Sequence, residues 1–230
     1  MKTISIGDIH GRLDWKVIDP NKYDKIIFVG DYTDSFTISD SQITNNLLDI
    51  IQFKKDNLDK VILLWGNHDL QYLFNYNGFG CTGYRPQMYK ELNKIFNDNK
   101  NLFQMSYEYG NTIWTHAGIH ERWFKYHFKY FIGDSISERL NNAFNIKYNA
   151  LFNIGYVRGG YHSEGGPFWA DITELKANSF RNMNQIVGHN RVEKITKIYN
   201  YNKEVVFIDT LEYEKTDTLF YEKDVKKKKT

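Results

Sequence analysis

Asp8 and His10, Asp31 and Asp34, Asn67 and His68, His116, and His189 are the residues whose types and spacing suit chemistry. Each group stands directly after a short apolar run. The runs are Ser5-Ile6-Gly7-Asp8, Lys25 through Asp34, Val61-Ile62-Leu63-Leu64-Trp65-Gly66-Asn67-His68, Thr112-Ile113-Trp114-Thr115-His116 and Gln185-Ile186-Val187-Gly188-His189. Carboxylate, amide and imidazole donors of this kind suit two divalent cations held close together, which need one shared carboxylate and further oxygen and nitrogen ligands. Asp8 and His10, two residues apart, can turn toward one ion. Asp31 is the natural bridge, and Asn67, His116 and His189 complete the shell of the second ion. The neutral amide of Asn67 adds an oxygen without adding charge. Of the seven histidines, His10, His68, His116 and His189 end apolar runs, whereas His120, His127 and His162 do not.

An apolar run stopped by Gly-Asp is what a buried strand looks like when it delivers a carboxylate at its end. The glycine lets the backbone turn sharply there. In open α/β sheets a ligand site lies beyond the carboxyl ends of the strands, so these five ends are expected to converge. Residues 39–56 place Ile43, Leu47, Ile50, Ile51 and Phe53 at helical spacing, with Ser39 or Asp40 as N-cap. Strand, helix, strand is the unit of a parallel sheet.

Beyond residue 69 the pattern predicts a brief helix at 70–74, a glycine loop at 78–83 and a helix at 86–98. A strand at 102–109 should pair with 112–115. Residues 121–150 read as helical, their aromatic rings as core filling. The glycine-rich segment 153–168 carries Arg158, His162 and Glu164. Short strands at 195–200, 204–209 and 217–222 suggest a second, antiparallel sheet.

Three prolines and no linker in 230 residues favour a single domain over 1–222, followed by a disordered Lys-rich tail at 223–230. No apolar run approaches membrane-spanning length and no signal-peptide core opens the chain, so a soluble cytoplasmic protein is expected. The single cysteine, Cys81, excludes an intramolecular disulfide and argues against a thiolate zinc site. The formal charge of +2 rests on the tail lysines 226–229, which leaves a body without the basic footprint of a nucleic-acid-binding domain.

The segments Gly7-Asp8-Ile9-His10-Gly11, Gly30-Asp31-Tyr32-Thr33-Asp34, Gly66-Asn67-His68-Asp69, His116-Ala117-Gly118 and Gly188-His189-Asn190 together resemble the ordered motif set of the calcineurin-like metallophosphoesterases. Within that superfamily they are most similar to the phosphoprotein phosphatase branch, which includes small bacterial and phage serine/threonine phosphatases and diadenosine tetraphosphate hydrolases. The resemblance implies an α/β fold of two mixed β-sheets flanked by helices. It implies Asp8, His10 and Asp31 on one metal, and Asp31, Asn67, His116 and His189 on the other. It makes His68 the catalytic acid and Asp34 its partner.

The implied reaction is hydrolysis of phosphomonoesters, with phosphoserine or phosphothreonine in proteins as substrate, by a hydroxide bridging two divalent metal ions. Mn²⁺ is the expected activating ion, with Fe or Zn compatible. One departure stands out: the branch usually continues Asp-Arg-Gly where this chain has Asp34-Ser35-Phe36. Arg12 and Arg158 are the substitutes the sequence offers for gripping phosphate. A nucleotide pyrophosphatase or phosphodiesterase remains open, with Phe79, Tyr84, Tyr161 and Phe168 at the rim to stack a base. A catalytically dead binding scaffold of the same fold remains open too. The partner is a phosphorylated substrate, protein or nucleotide.

Overall fold

Alternation of apolar side chains to opposite faces sets the layers. In β2 (Lys25–Phe28), Ile26 and Phe28 pack outward with Ile43, Leu47 and Ile50 of α1 (Asp40–Asp56). Ile27 and the following Val29 point the other way, against Trp114, Ile186, Val206 and Ile208. A strand apolar on both faces is the signature of a sheet covered on both sides. Each fully buried Ile or Val stabilises by about 1.5–3 kcal/mol, so these alternations carry much of the fold.

The computed structural model describes residues 1–74, 81–213 and 219–227. Besides β2 and α1 it contains β1 (Lys2–Ile6), β3 (Val61–Leu64), α2 (Asn67–Leu73), α3 (Tyr89–Asn99), β4 (Phe103–Gln104) and β5 (Ser106–Tyr109). The chain continues through β6 (Thr112–Thr115), α4 (Glu121–Phe128), α5 (Ile136–Asn145) and α6 (Ile172–Asn178). It finishes with β7 (Asn184–Arg191), β8 (Thr196–Asn200), β9 (Lys203–Asp209) and β10 (Tyr221–Asp224). One sheet has the order β10-β1-β2-β3-β4 and the other β5-β6-β7-β9-β8. Both are mixed: β1, β2, β3 and β4 run parallel with β10 antiparallel to β1, while β6, β7 and β9 run parallel between antiparallel edges. The sheets face each other across Ile27, Leu64, Trp114, Ile186 and Val206, and the Trp114 indole Nε1 donates to Ser5 Oγ at 2.9 Å across the layer.

Three expectations change. The strand read over 102–109 breaks at Met105, because Asn141 Oδ1 accepts from the backbone N–H of both Met105 (2.9 Å) and Ser106 (3.1 Å). Those two donors are thereby withdrawn from one ladder, and the chain passes from the first sheet into the second. The closing strands do not make an antiparallel sheet by themselves: β9 lies parallel to β7, and β10 leaves for the edge of β1. Strand alternation is local and carries no record of which edge a strand will reach. Finally, β10 takes in Lys223 and Asp224 and is followed by buried Val225, so the ordered chain extends past residue 222, where the tail was expected to begin. The glycine loop expected at 78–83 falls partly on residues 78–80, outside the described residues, as does Phe79.

Candidate active site

The parallel strands bring all five predicted ends to one cleft of about 650 Å³, lined by Asp8, His10, Asp31, Asn67, His68 and His189, with His116 buried at its base. Two glycines show how this crowding is achieved. A Cβ on Gly66 would lie 2.1 Å from Asp31 Oδ1, and one on Gly188 would lie 2.0 Å from Asp8 Oδ1. Gly66 makes room for a carboxylate from the neighbouring strand and Gly188 for one from the facing sheet, and neither has the positive φ of a sharp turn. Residues at the cleft carry the unusual backbone: His10, Asp31, Asp34 and His189 have φ between 45° and 61°. Non-glycine residues held there are strained, and such strain collects at functional sites.

Asp69 holds the floor. Its Oδ2 accepts from the backbone N–H of Asp31 (2.9 Å) and Gly66 (3.0 Å), and its Oδ1 from Tyr32 N–H (2.8 Å) and from the N–H and Oγ of Thr33. Asp31 Oδ1 in turn accepts from His68 N–H at 2.9 Å, so the ends of β2 and β3 are locked together.

The imidazoles are oriented by carbonyls, which can only accept. His116 Nδ1–H donates to Val29 O at 2.8 Å, leaving its Nε2 lone pair facing Asn67 Oδ1 at 2.7 Å and Asp31 Oδ2 at 3.4 Å. His10 Nδ1–H donates to Thr33 O at 2.8 Å, which turns its Nε2 toward Asp31 Oδ2 at 3.8 Å. His189 Nδ1 lies 2.9 Å from Asn67 Oδ1, while its Nε2 is buried without a hydrogen-bond partner. Asn67 Nδ2 donates to Cys81 Sγ at 3.2 Å, which leaves its oxygen as the atom turned to the histidines. Burial lowers the pKa of His10 and of His116 to about 3, so both rings are neutral and offer a lone pair.

Asp8 and Asp31 are pushed well above the usual carboxylate range by burial and by neighbouring charge, with Asp209 acting most on the first and Asp69 on the second. Converging lone pairs and crowded buried carboxylates are a donor set that divalent cations satisfy. Ligand atoms of Asp31, His116 and His189 lie within 4.8 Å of one another, and so do those of His10, Asp31 and His68.

His68 sits at the mouth. Its Nδ1 lies 2.8 Å from Asp34 Oδ2, and its Nε2 faces inward, 4.0 Å from Asp31 Oδ2. Gln71 Nε2 and Tyr72 OH also donate to Asp34. Burial raises Asp34 to about 7 and lowers His68 to about 4.

The arginines are distributed unevenly. Arg158 lines the cleft, with its Nε 2.7 Å from Asp171 Oδ2 and its Nη2 donating to Asn190 Oδ1 at 2.5 Å. Arg12 lies in a side lobe with its Nη2 3.7 Å from Glu212 Oε1. Arg191 lines both the cleft and the lobe and was not singled out from the sequence, although it follows the last histidine motif directly. Asp209 was also missed; its charge helps raise Asp8, and it ends the apolar run Val205 to Ile208 in the same way the candidate ligands end theirs.

Of the expected rim aromatics, Phe168 is fully buried, stacked on Phe152 with ring centroids 5.7 Å apart, and Tyr84 packs against Tyr72. Tyr161 is exposed and does not line the cleft; Phe36 and Trp169 do. His127 and His162 line a separate depression with Glu164.

The sequence model of the calcineurin-like phosphoesterases matches residues 1–221. No curated relative matches the chain. Among solved structures, the cold-active protein-tyrosine phosphatase of a psychrophilic Shewanella superposes with a TM-score of 0.58 at 16% identity, covering 91% of this chain and 71% of the other. A Saccharomyces cerevisiae protein serine/threonine phosphatase with similarity to human phosphatase PP5 gives a TM-score of 0.44 at 14% identity, covering 90% and 67%. With the family model spanning nearly the whole chain and the donor set gathered in one cleft, this protein belongs to the calcineurin-like phosphoesterases, a family of metal-dependent hydrolases.

Proposed function

We propose that the chain hydrolyses phosphomonoesters of serine or threonine side chains at a dinuclear centre in this cleft. The observation that carries the reading is the convergence of the His10 and His116 Nε2 lone pairs on Asp31 Oδ2. Asp8, His10 and Asp31 would hold one divalent ion, and Asp31, Asn67, His116 and His189 the other. Such ions, when bound, lower the pKa of water from 15.7 to about 7 and neutralise charge on the phosphoryl oxygens.

The chain's own part is positioning and proton supply. Water oxygen forms the new bond to phosphorus as the bond to the ester oxygen breaks, and that oxygen keeps the electron pair. His68 Nε2 gives it a proton, and Asp34, 2.8 Å from Nδ1, stabilises the imidazolium from which the proton comes. The proton lost by the water goes to solvent, which recharges His68. Burial and the nearby Arg191 lower the proton affinity of His68, which makes it a strong acid once charged.

Mn²⁺ is the activating ion in this reading, with Fe and Zn compatible with the same donors, and the protein works in the cytoplasm. A second reading, hydrolysis of a dinucleoside polyphosphate, is favoured by Phe36 and Trp169, whose rings line the cleft where a base would stack. An assay with Mn²⁺, comparing a phosphopeptide, a dinucleoside tetraphosphate, a cyclic nucleotide and an aryl phosphate, separates the readings. Turnover of none of them with Mn²⁺, Fe²⁺ or Zn²⁺ overturns both and leaves the binding scaffold.

A further inference from the structure

The two flanks of the cleft pair their arginines differently. On one, Arg158 is matched by Asp171 at 2.7 Å and held by Asn190, so guanidinium and carboxylate cancel. On the other, Glu212 is shared: Arg191 Nε lies 2.7 Å from its Oε2 and Arg12 Nη2 lies 3.7 Å from its Oε1. Two guanidiniums thus share one carboxylate, and both also act on Asp209, a second carboxylate that lines the cleft. Arg12 is largely buried, with 15% of its side chain exposed, whereas Arg191 is 50% exposed and free to reorient. The lobe that holds this trio is also lined by His68 and Asp34, so it adjoins the group that protonates the departing oxygen. His10, His68 and Arg191 line both lobe and cleft, making the two continuous.

We propose that Arg12 and Arg191 form an anion subsite on the leaving-group side, so that the preferred substrate carries a second phosphate on the part that departs. Glu212 holds the two guanidiniums apart until that phosphate replaces it, and guanidinium forks match phosphate oxygens bidentately. The proposal rests on the phosphatase reading above for its direction, since His68 defines which side the leaving group occupies. A doubly phosphorylated peptide and a dinucleoside tetraphosphate both supply the required group.

The test measures kcat/KM for each of these two substrates relative to p-nitrophenyl phosphate, whose leaving group has no phosphate. Arg191→Met should lower that ratio by about 10- to 100-fold, the worth of a hydrogen bond to a charged group, and Arg191→Lys should restore part of it. Glu212→Gln should raise the ratio, a gain that misfolding cannot produce. A fall confined to the peptide, or confined to the nucleotide, names the source of the second phosphate. Equal losses on all substrates overturn the subsite. Calorimetric binding of inorganic tripolyphosphate to the metal-free protein is the readout independent of turnover. Binding that Arg191→Met weakens supports the subsite even if no ester is hydrolysed, an outcome that would sink only the phosphatase reading. Absence of tripolyphosphate binding by the wild type overturns the subsite.

Discussion

The floor of the cleft and its rim are built by opposite rules. On the floor, Asp8, Asp31, Asn67 and His116 are buried, the glycine seats leave no room for a methyl group, and Asp69 ties three consecutive residues to the start of α2. On the rim, Phe36 is 71% exposed, Val157 58% and Arg191 50%, and a Cβ on Gly159 would meet nothing within 4 Å. The difference teaches where each property resides. Ion geometry must be held to a fraction of an ångström and therefore needs burial and strain, whereas selection of a substrate needs side chains that water and ligand can reach.

The largest effect should come from removing the one floor residue assigned to both ions. Asp31→Asn should bring turnover to background and abolish the rise in Tm expected of the wild type with Mn²⁺. That rise corresponds to about 2.7 kcal/mol when the free ion is at 100 times its Kd. Differential scanning fluorimetry with and without Mn²⁺ checks it, and an unchanged Mn²⁺ response would break the assignment of Asp31 as bridge.

Next is His68→Ala, which touches the floor's edge without removing a proposed ligand. Turnover of an alkyl phosphate should fall by about 10²–10⁴-fold, and of an aryl phosphate by clearly less, because a good leaving group needs little protonation. The Mn²⁺ effect on Tm should persist. Equal losses on the two esters would deny His68 the acid role.

Smaller again is a contrast between glycines. Gly66→Ala places a methyl group 2.1 Å from Asp31 Oδ1 and should cost about 1–3 kcal/mol by overpacking, together with most of the activity. Gly159→Ala, with φ of 79° and open space around it, should cost only the left-handed backbone penalty of about 1–2 kcal/mol and leave Mn²⁺ uptake intact. Similar losses of metal response in both variants would erase the distinction between floor and rim.

How much of this was legible in the sequence follows the same division. The candidate ligands were readable because each follows an apolar run, and a strand end fixes position without reference to anything distant. Asp209 ends such a run too, and the signal was present but unread. The role of Asp69 was hidden because the donors it accepts from lie on residues 31–33 and 66, and nothing local marks a carboxylate as structural. Phe168 looked like a rim residue because glycines surround it. The loop instead folds back, with Gly166 N–H donating to Asn153 O at 2.8 Å, and drives the ring into the core against Phe152. The pairing of β10 with β1 joins residues more than 200 apart in sequence, beyond any local pattern.

The rim's own prediction is the smallest and the most informative about substrate. Phe36 directly follows Ser35, which stands where the resembling motif has its arginine, and its ring lines both cleft and lobe. Arg85 does not replace that arginine, because its guanidinium donates to Ser35 O and Ile38 O and pairs with Asp40, and it lines neither cleft nor lobe. An exposed ring contributes little to folding, so Phe36→Ala should change stability by no more than about 0.5 kcal/mol. A base stacked on an aromatic ring is worth about 1–3 kcal/mol, and the lower end suits so exposed a ring. KM for a dinucleoside tetraphosphate should then rise by roughly fivefold with kcat unchanged, while KM for a phosphopeptide stays within a factor of two, about 0.4 kcal/mol by the tenfold-per-1.4 kcal/mol rule. Steady-state kinetics on the two substrates decides it. A selective rise for the nucleotide favours the polyphosphate reading, and an equal response on both makes Phe36 a plain wall of the cleft.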